Sequence, residues 1–150
     1  MIHERPIRDL IKAGTLVSLP PDVTVGDAAR KMLDQRIGLV VVMDGDAVVG
    51  IVTERDINFR VVARSRDAEK TRLAEIMSRD PVLLPPDTTV TEALKQVVSR
   101  FFRYAVVGTG HQVMGVVPVS LIFAEITKAL GSDIGDIDRF IQGEVLEVQD

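Results

Sequence analysis

The 150 residues contain no cysteine, so disulfides and thiolate metal sites are excluded and nothing ties the chain to an oxidising compartment. Long hydrophobic runs are missing as well. The longest, Leu39 to Met43, falls far short of the roughly 20 apolar residues that a membrane-crossing helix needs. The N-terminus, Met1-Ile2-His3-Glu4-Arg5-Pro6, has no apolar stretch of signal-peptide length. Positive charge is not in excess: 18 Lys and Arg against 22 Asp and Glu leave a formal net charge of −4, which argues against sequence-independent grip on nucleic-acid phosphates. The basic residues Arg60, Arg64, Arg66, Lys70 and Arg72 are interleaved with Asp67 and Glu69 and read as a solvated helix end and loop. Catalytic signatures are absent too. His3 and His111 have no placed partner, there is no Gly-x-Ser-x-Gly, Walker loop or His-x-x-x-His, and Glu54 and Asp56, two apart, would not share a helix face. These absences predict a soluble cytoplasmic protein that is not an enzyme and has no nucleic-acid or membrane partner.

What is present is an ordinary globular composition, 46% hydrophobic and 27% charged, in a chain long enough to bury roughly 70% of its unfolded surface. It is also self-similar. Sliding the chain by 65 positions lays Val17 to Val52 on Val82 to Val117 without a gap, and 14 of the 36 paired positions are identical. Among them are the Pro-Pro-Asp turns at 20–22 and 85–87, Ala28/Ala93, Gly45/Gly110 and Gly50/Gly115. Upstream, Ile7-Arg8-Asp9-Leu10-Ile11 resembles Leu73-Ala74-Glu75-Ile76-Met77. Such a period means two copies of one structural unit.

Each copy has the same predicted order. A short helical piece leads to a strand, Val17 to Leu19 or Val82 to Leu84, which the Pro-Pro-Asp turn ends. Thr24 and Thr89 are then helix N-caps, and Thr89-Val90-Thr91-Glu92 has the spacing of a capping box. The helices carry apolar stripes, Val25, Ala28, Ala29, Met32 and Leu33 in the first and Val90, Ala93, Leu94, Val97 and Val98 in the second. Two strands follow, Leu39 to Met43 with Ala47 to Val52, and Tyr104 to Val107 with Val113 to Val117, joined by Gly-containing turns. Strands made almost wholly of Val, Ile and Leu are expected to be covered on both faces. A last helix closes each copy. The first runs from Glu54 to about Ala63 with Ile57, Val61 and Val62 inward, and the second from Val119 to about Leu130 with Ile122, Ile126, Ala129 and Leu130 inward. Gly131 is a helix stop. Beyond it Ile134, Ile137, Phe140 and Ile141 form an apolar side that either packs back on the module or meets a second copy.

The order strand, helix, strand, strand, helix, opened by Pro-Pro-Asp-x-Thr-Val and closed by Gly50-Ile51-Val52-Thr53-Glu54-Arg55-Asp56-Ile57, resembles the cystathionine-β-synthase (CBS) domain. Two copies resemble the tandem called a Bateman module. The resemblance covers residues 7 to about 130 and implies an α/β (α+β) fold of two repeats, 7–66 and 67–130, packed sheet to sheet about a pseudo-twofold axis, with a C-terminal tail at 131–150. It further implies clefts for adenosyl ligands (AMP, ADP, ATP, NAD or S-adenosylmethionine), a regulatory rather than catalytic role, homodimers and an effector protein that reads the ligand.

The residues at the strand-to-helix junction suit that role. A carboxylate such as Asp56 can accept both ribose hydroxyls in a charge-assisted grip, and Thr53 with helix N-terminal amides offers a small anion site. The same pair is also an ordinary N-cap with an acidic first turn, and both readings stay open from the local pattern. In the second copy the positions are Pro118 and Leu121, which can neither cap through a side chain nor hold a sugar, so one competent site per chain is expected. By the family pattern the adenine of that site meets Asp80, Pro81 and Val82, while Arg103 and Arg100 reach the phosphates. Each has a plainer alternative: Pro81 and Val82 as strand core, the arginines as exposed surface, and Tyr104 beside them as core.

Overall fold

The computed structural model describes residues 4–129; His3 and the apolar side Ile134 to Ile141 lie outside them. In the first repeat, β1 (Ser18–Leu19), α1 (Val25–Gln35), β2 (Leu39–Asp44) and β3 (Ala47–Thr53) lead into α2 (Glu54–Ile57), which continues as a single π-helical turn, Asn58–Val62. A second short helix, α3 (Leu73–Ile76), and β4 (Ser78–Arg79) precede the second repeat, β5 (Leu83–Leu84), α4 (Val90–Ser99), β6 (Tyr104–Thr109), β7 (Gln112–Pro118) and α5 (Val119–Ala129). One sheet has the order β1-β2-β3-β4 and the other β5-β6-β7. In both, the first strand is parallel to the second and the hairpin pair is antiparallel. Both hairpins slip register at the matching place, Val42/Met43 and Val107/Gly108, so the repeat extends to its irregularities.

The alternation of side chains across each strand divides the core into three. Val40, Val42 and Val52 face α1 and join Val25, Ala28 and Met32. Ala105, Val107 and Val117 face α4 and α5 with Val90, Val97 and Ile122. The residues on the opposite faces, Leu39, Val41 and Val48 from one sheet and Val106 and Val116 from the other, meet in a third cluster. The two sheets therefore pack face to face with helices outside, as expected for strands covered on both sides.

Local expectations mostly hold, with physical reasons where they do not. Thr24 and Thr89 cap their helices by accepting from the amides of Asp27 and Glu92, both at 3.1 Å. The reciprocal half of the box at Thr89 is not made, because Glu92 Oε1 accepts instead from Gln96 Nε2 at 3.1 Å. The apolar stripes are narrower than the spacing predicts: Leu33 is 76% exposed and Val98, its counterpart, 52%, since a residue eight positions on has turned about 80° away from the first. Val62 is exposed for a different reason. The π turn, closed by the Ala63 amide donating to Asn58 O at 2.9 Å, adds a residue to the turn and leaves Val61, not Val62, in the core. In α5, Ile122 is buried and Ile126 partly so, but Ala129 is exposed.

The short leader segments contribute what periodicity could not reveal. Each packs on the other repeat. The 3-10 turn Ile7–Leu10 buries Ile7 and Leu10 in the second repeat's core, with the Ile7 amide donating to Thr88 O at 2.7 Å and the Val90 amide to Arg5 O at 2.8 Å. Conversely, Leu73, Ile76 and Met77 fill the first repeat's core, with the Leu73 amide donating to Val23 O at 2.9 Å and the Val25 amide to Thr71 O at 2.8 Å. Apolar faces this short cannot be buried by their own turn. Near the α1 start, the Arg30 guanidinium spans Asp27 and Glu69 and, by hydrogen bonding, holds both carboxyls below the usual carboxylate range.

Candidate functional site

Thr53 ends β3 and starts α2 with extended φ/ψ of −110° and 166°. Its hydroxyl accepts from the Asp56 amide at 3.3 Å, and Asp56 Oδ2 accepts from the Thr53 amide at 2.9 Å and from its hydroxyl at 3.1 Å. The capping reading of this pair is therefore realised, as a complete reciprocal box. Asp56 retains a second oxygen, Oδ1, 3.8 Å from Arg60 Nε; its side chain is only 12% exposed. Arg60 is itself anchored, donating from Nη1 to Ile76 O at 2.8 Å, which also satisfies a carbonyl at the end of α3.

The anion site expected at the helix start is largely consumed. The Glu54 amide donates to Gly38 O at 3.1 Å and the Asp56 amide to Thr53, so positive charge at this junction has to come from side chains. It comes from Arg55 of α2 itself and from across the seam. A cavity of about 510 Å³ opens between the repeats, with Thr53 and Asp56 on one wall and Arg100, Arg103 and Tyr104 on the other. Gly38, Leu39 and Ile51 back the first wall, while Ser78 and Val82 come from the segment that joins the repeats.

Of the residues singled out from sequence, Thr53, Asp56, Val82, Arg100 and Arg103 line this one cavity. Asp80 and Pro81 lie next to it in the chain but do not line it; Asp80 has a left-handed φ of 51°. Tyr104 does two things. It packs against the inter-sheet cluster, and its hydroxyl accepts from the Gly38 amide at 3.1 Å, a bond that ties one repeat to the other at the cavity edge. A Cβ at Gly38 would meet the side chain of Glu54, which is exposed and would have to swing aside. Sequence reasoning missed Arg55, Phe59, Phe101 and Phe102, which also line the cavity. The available signal was three phenylalanines at positions where the other copy has no aromatic residue, with Arg55 where it has Ser120.

The second junction keeps the scaffold and loses the chemistry. The Val119 amide donates to Arg103 O at 2.8 Å, repeating the Glu54 to Gly38 bond, yet Pro118 offers no hydroxyl and Leu121 packs on the core beside Val119. Arg60 has Glu125 as its counterpart. Glu125 accepts from Arg5 Nη1 at 3.0 Å, so the charge at this position is reversed between the two halves.

Two mixed sheets packed through a shared apolar face, with a cavity of charged and apolar lining where the repeats meet, define a tandem-repeat module. The chain belongs to the CBS domain family, which it matches twice, over residues 7–62 and 73–128, and the pair constitutes a Bateman module. Among curated relatives, the CBS domain-containing proteins CBSCBSPB5 and CBSCBSPB4 of Arabidopsis thaliana are each 29% identical over 140 residues, 93% of this chain. The chain spans about a quarter of their length, 24%. Among solved structures, a putative signal-transduction protein with CBS domains from Burkholderia ambifaria is 27% identical with a TM-score of 0.74, covering 81% of this chain and 93% of its own. The CBS domain protein PAE2072 from Pyrobaculum aerophilum, solved in complex with AMP, is 26% identical with a TM-score of 0.69, over 77% of this chain and 88% of its own. Among the described residues no helix is long and apolar enough to cross a membrane, and no three His, Cys, Asp or Glu are grouped to hold a metal ion.

Proposed function

We propose that this chain is a non-enzymatic regulatory module that binds an adenine nucleotide or adenosyl ligand, of the AMP, ADP, ATP or NAD type, at one site per chain. The observation that carries the reading is the seam cavity that sets Thr53 and Asp56 opposite Arg100 and Arg103. A ribose held on Asp56 places its base toward Val82 and the Asp80-Pro81 backbone and its phosphates toward Arg103 and Arg100. The AMP complex of PAE2072 supports the ligand class. Because the cavity is walled by both repeats, a ligand that prefers one spacing of the walls shifts how they pack, and only that difference in affinity can drive a response. A homodimer and an effector protein are the natural readers of such a shift.

Calorimetric titration with AMP, ATP, NAD and S-adenosylmethionine tests this. At least one is expected to bind with 1:1 stoichiometry per chain and to lose most of its affinity in Asp56→Ala; no binding by any of the four, or binding unaffected by Asp56→Ala, would sink the proposal.

A second reading, in which the nucleotide sites have decayed and the repeats serve only to dimerise or hold a partner, draws on the Pro118 and Leu121 junction and on the exposed Val62 and Phe123. It predicts no rise in unfolding temperature with any nucleotide, whereas a ligand at 100 times its Kd adds about 2.7 kcal/mol of stability.

A further inference from the structure

Asp56 has already committed one of its oxygens. Oδ2 accepts from both the amide and the hydroxyl of Thr53, at 2.9 Å and 3.1 Å, which uses both of its lone pairs. A sugar held on Asp56 must therefore use Oδ1, and the two lone pairs left there match two vicinal hydroxyls. The cation nearest Oδ1 is Arg60, with Nε 3.8 Å away. That distance is too long for a hydrogen bond and short enough for charge attraction, so Arg60 draws on Oδ1 without consuming its acceptor capacity.

Arg60 is not itself part of the cavity wall. Its Nη1 donates to Ile76 O at 2.8 Å and Met77 O at 3.4 Å, where the leader passes from α3 into β4. Ser78 and Val82, further along that segment, do line the cavity. One guanidinium thus joins the Asp56 carboxylate to the segment that supplies Ser78 and Val82. The other repeat is the control. Its matching residue, Glu125, also grips the segment that packs on its own repeat, accepting from Arg5 Nη1 at 3.0 Å, so the scaffold makes this tie with either sign of charge. The cation occurs only where there is a carboxylate one helical turn before it, in the acid-before-base order that favours attraction. Where Asp56 is replaced by Leu121, the tie is an acid.

We propose that Arg60 is a positioning residue for ribose recognition: anchored on the leader carbonyls, it steadies the one uncommitted oxygen of Asp56, on which the sugar hydroxyls dock. This rests on the nucleotide reading of the Asp56 site. It adds a residue outside the cavity, through which occupancy of the sugar position is tied to the seating of the leader.

The test is calorimetry on the full chain with AMP and ATP and their 2′-deoxy counterparts. Removing one sugar hydroxyl removes one charge-assisted hydrogen bond, so the parent is expected to prefer each ribonucleotide it binds by about tenfold or more. Arg60→Gln and Arg60→Met both remove the charge, the first keeping an N–H for Ile76 O and the second an unbranched apolar stem. In each, the preference is expected to shrink by about two- to fivefold, the scale of one half-exposed ion pair. Arg60→Lys is expected to restore it to within about twofold of the parent. A merely structural role would weaken ribose and deoxyribose ligands alike and leave the ratio where it was. A ratio that shrinks less than about twofold in both neutral variants, or as much in Arg60→Lys as in them, therefore overturns the inference while the nucleotide site stands. If neither AMP nor ATP binds, or the parent does not distinguish ribose from deoxyribose, the assignment of the sugar to Asp56 falls and the inference with it.

Discussion

Asp56 shows how one carboxylate can satisfy a structural and a functional reading at once. Oδ2 completes the Thr53 capping box, while Oδ1 lies 3.8 Å from Arg60 Nε and the residue lines the cavity. Asparagine separates the two roles. Asp56→Asn keeps an oxygen to accept from the Thr53 amide, so unfolding stability is expected to stay within about 1 kcal/mol of the parent. The same change removes the charge from two hydrogen bonds to ribose and is expected to weaken the best-bound nucleotide by about tenfold or more. Chemical denaturation and calorimetry on one preparation check both numbers. Equal loss of stability in Asp56→Asn and Asp56→Ala, with affinity unchanged, would reduce the residue to a cap. The Thr-x-x-Asp spacing made the cap legible in the sequence. The arginines opposite it are 44 and 47 positions further on, and only packing of the two repeats brings them there.

At the scale of elements, the repeat register predicted the strands and helices and missed their interlocking. Each leader crosses to the other repeat and lies against an equivalent glycine. A Cβ on Gly50 would come within 2.7 Å of Met77 Sδ and 2.9 Å of Ser78 O, and one on Gly115 within 2.5 Å of Ile11 Cγ2. Both glycines are thus contact points rather than turn residues, a role that an identical pair in an alignment does not disclose. Gly50→Ala and Gly115→Ala are each expected to destabilise by about 1–3 kcal/mol through overpacking. Gly50→Ala should cost more, because one of its obstacles is a backbone oxygen paired in β4 and cannot rotate aside. Urea midpoints at constant m-value measure the order. The π turn after α2 is similarly hidden: Glu54 to Ala63 reads as unbroken helix, and the extra residue emerges only from the Ala63 to Asn58 bond.

At the scale of the whole molecule, the exchanged leaders are expected to make residues 4–129 unfold as one cooperative unit. Residues 4–66 alone would lack Leu73, Ile76 and Met77, which complete the first repeat's core, and would expose Leu39, Val41 and Val48, whose cover is the other sheet. A fragment ending at Arg66 is therefore expected to show no cooperative thermal transition by circular dichroism, and mixing it with a fragment from Asp67 onward should restore one. Independent two-state melting of either fragment would contradict the exchanged-leader packing. Sequence by itself determined the two copies, their strand and helix order and the asymmetry of Thr53 and Asp56 against Pro118 and Leu121, because periodicity, caps and turns are properties of neighbours in the chain. Only the tertiary structure decided which leader completes which core, that the Glu54 amide at the helix start is already spent on Gly38, and that phenylalanines and arginines of both repeats meet at Asp56. Those are contacts between residues far apart in the chain, and they exist only once two apolar sheet faces have been driven together out of water.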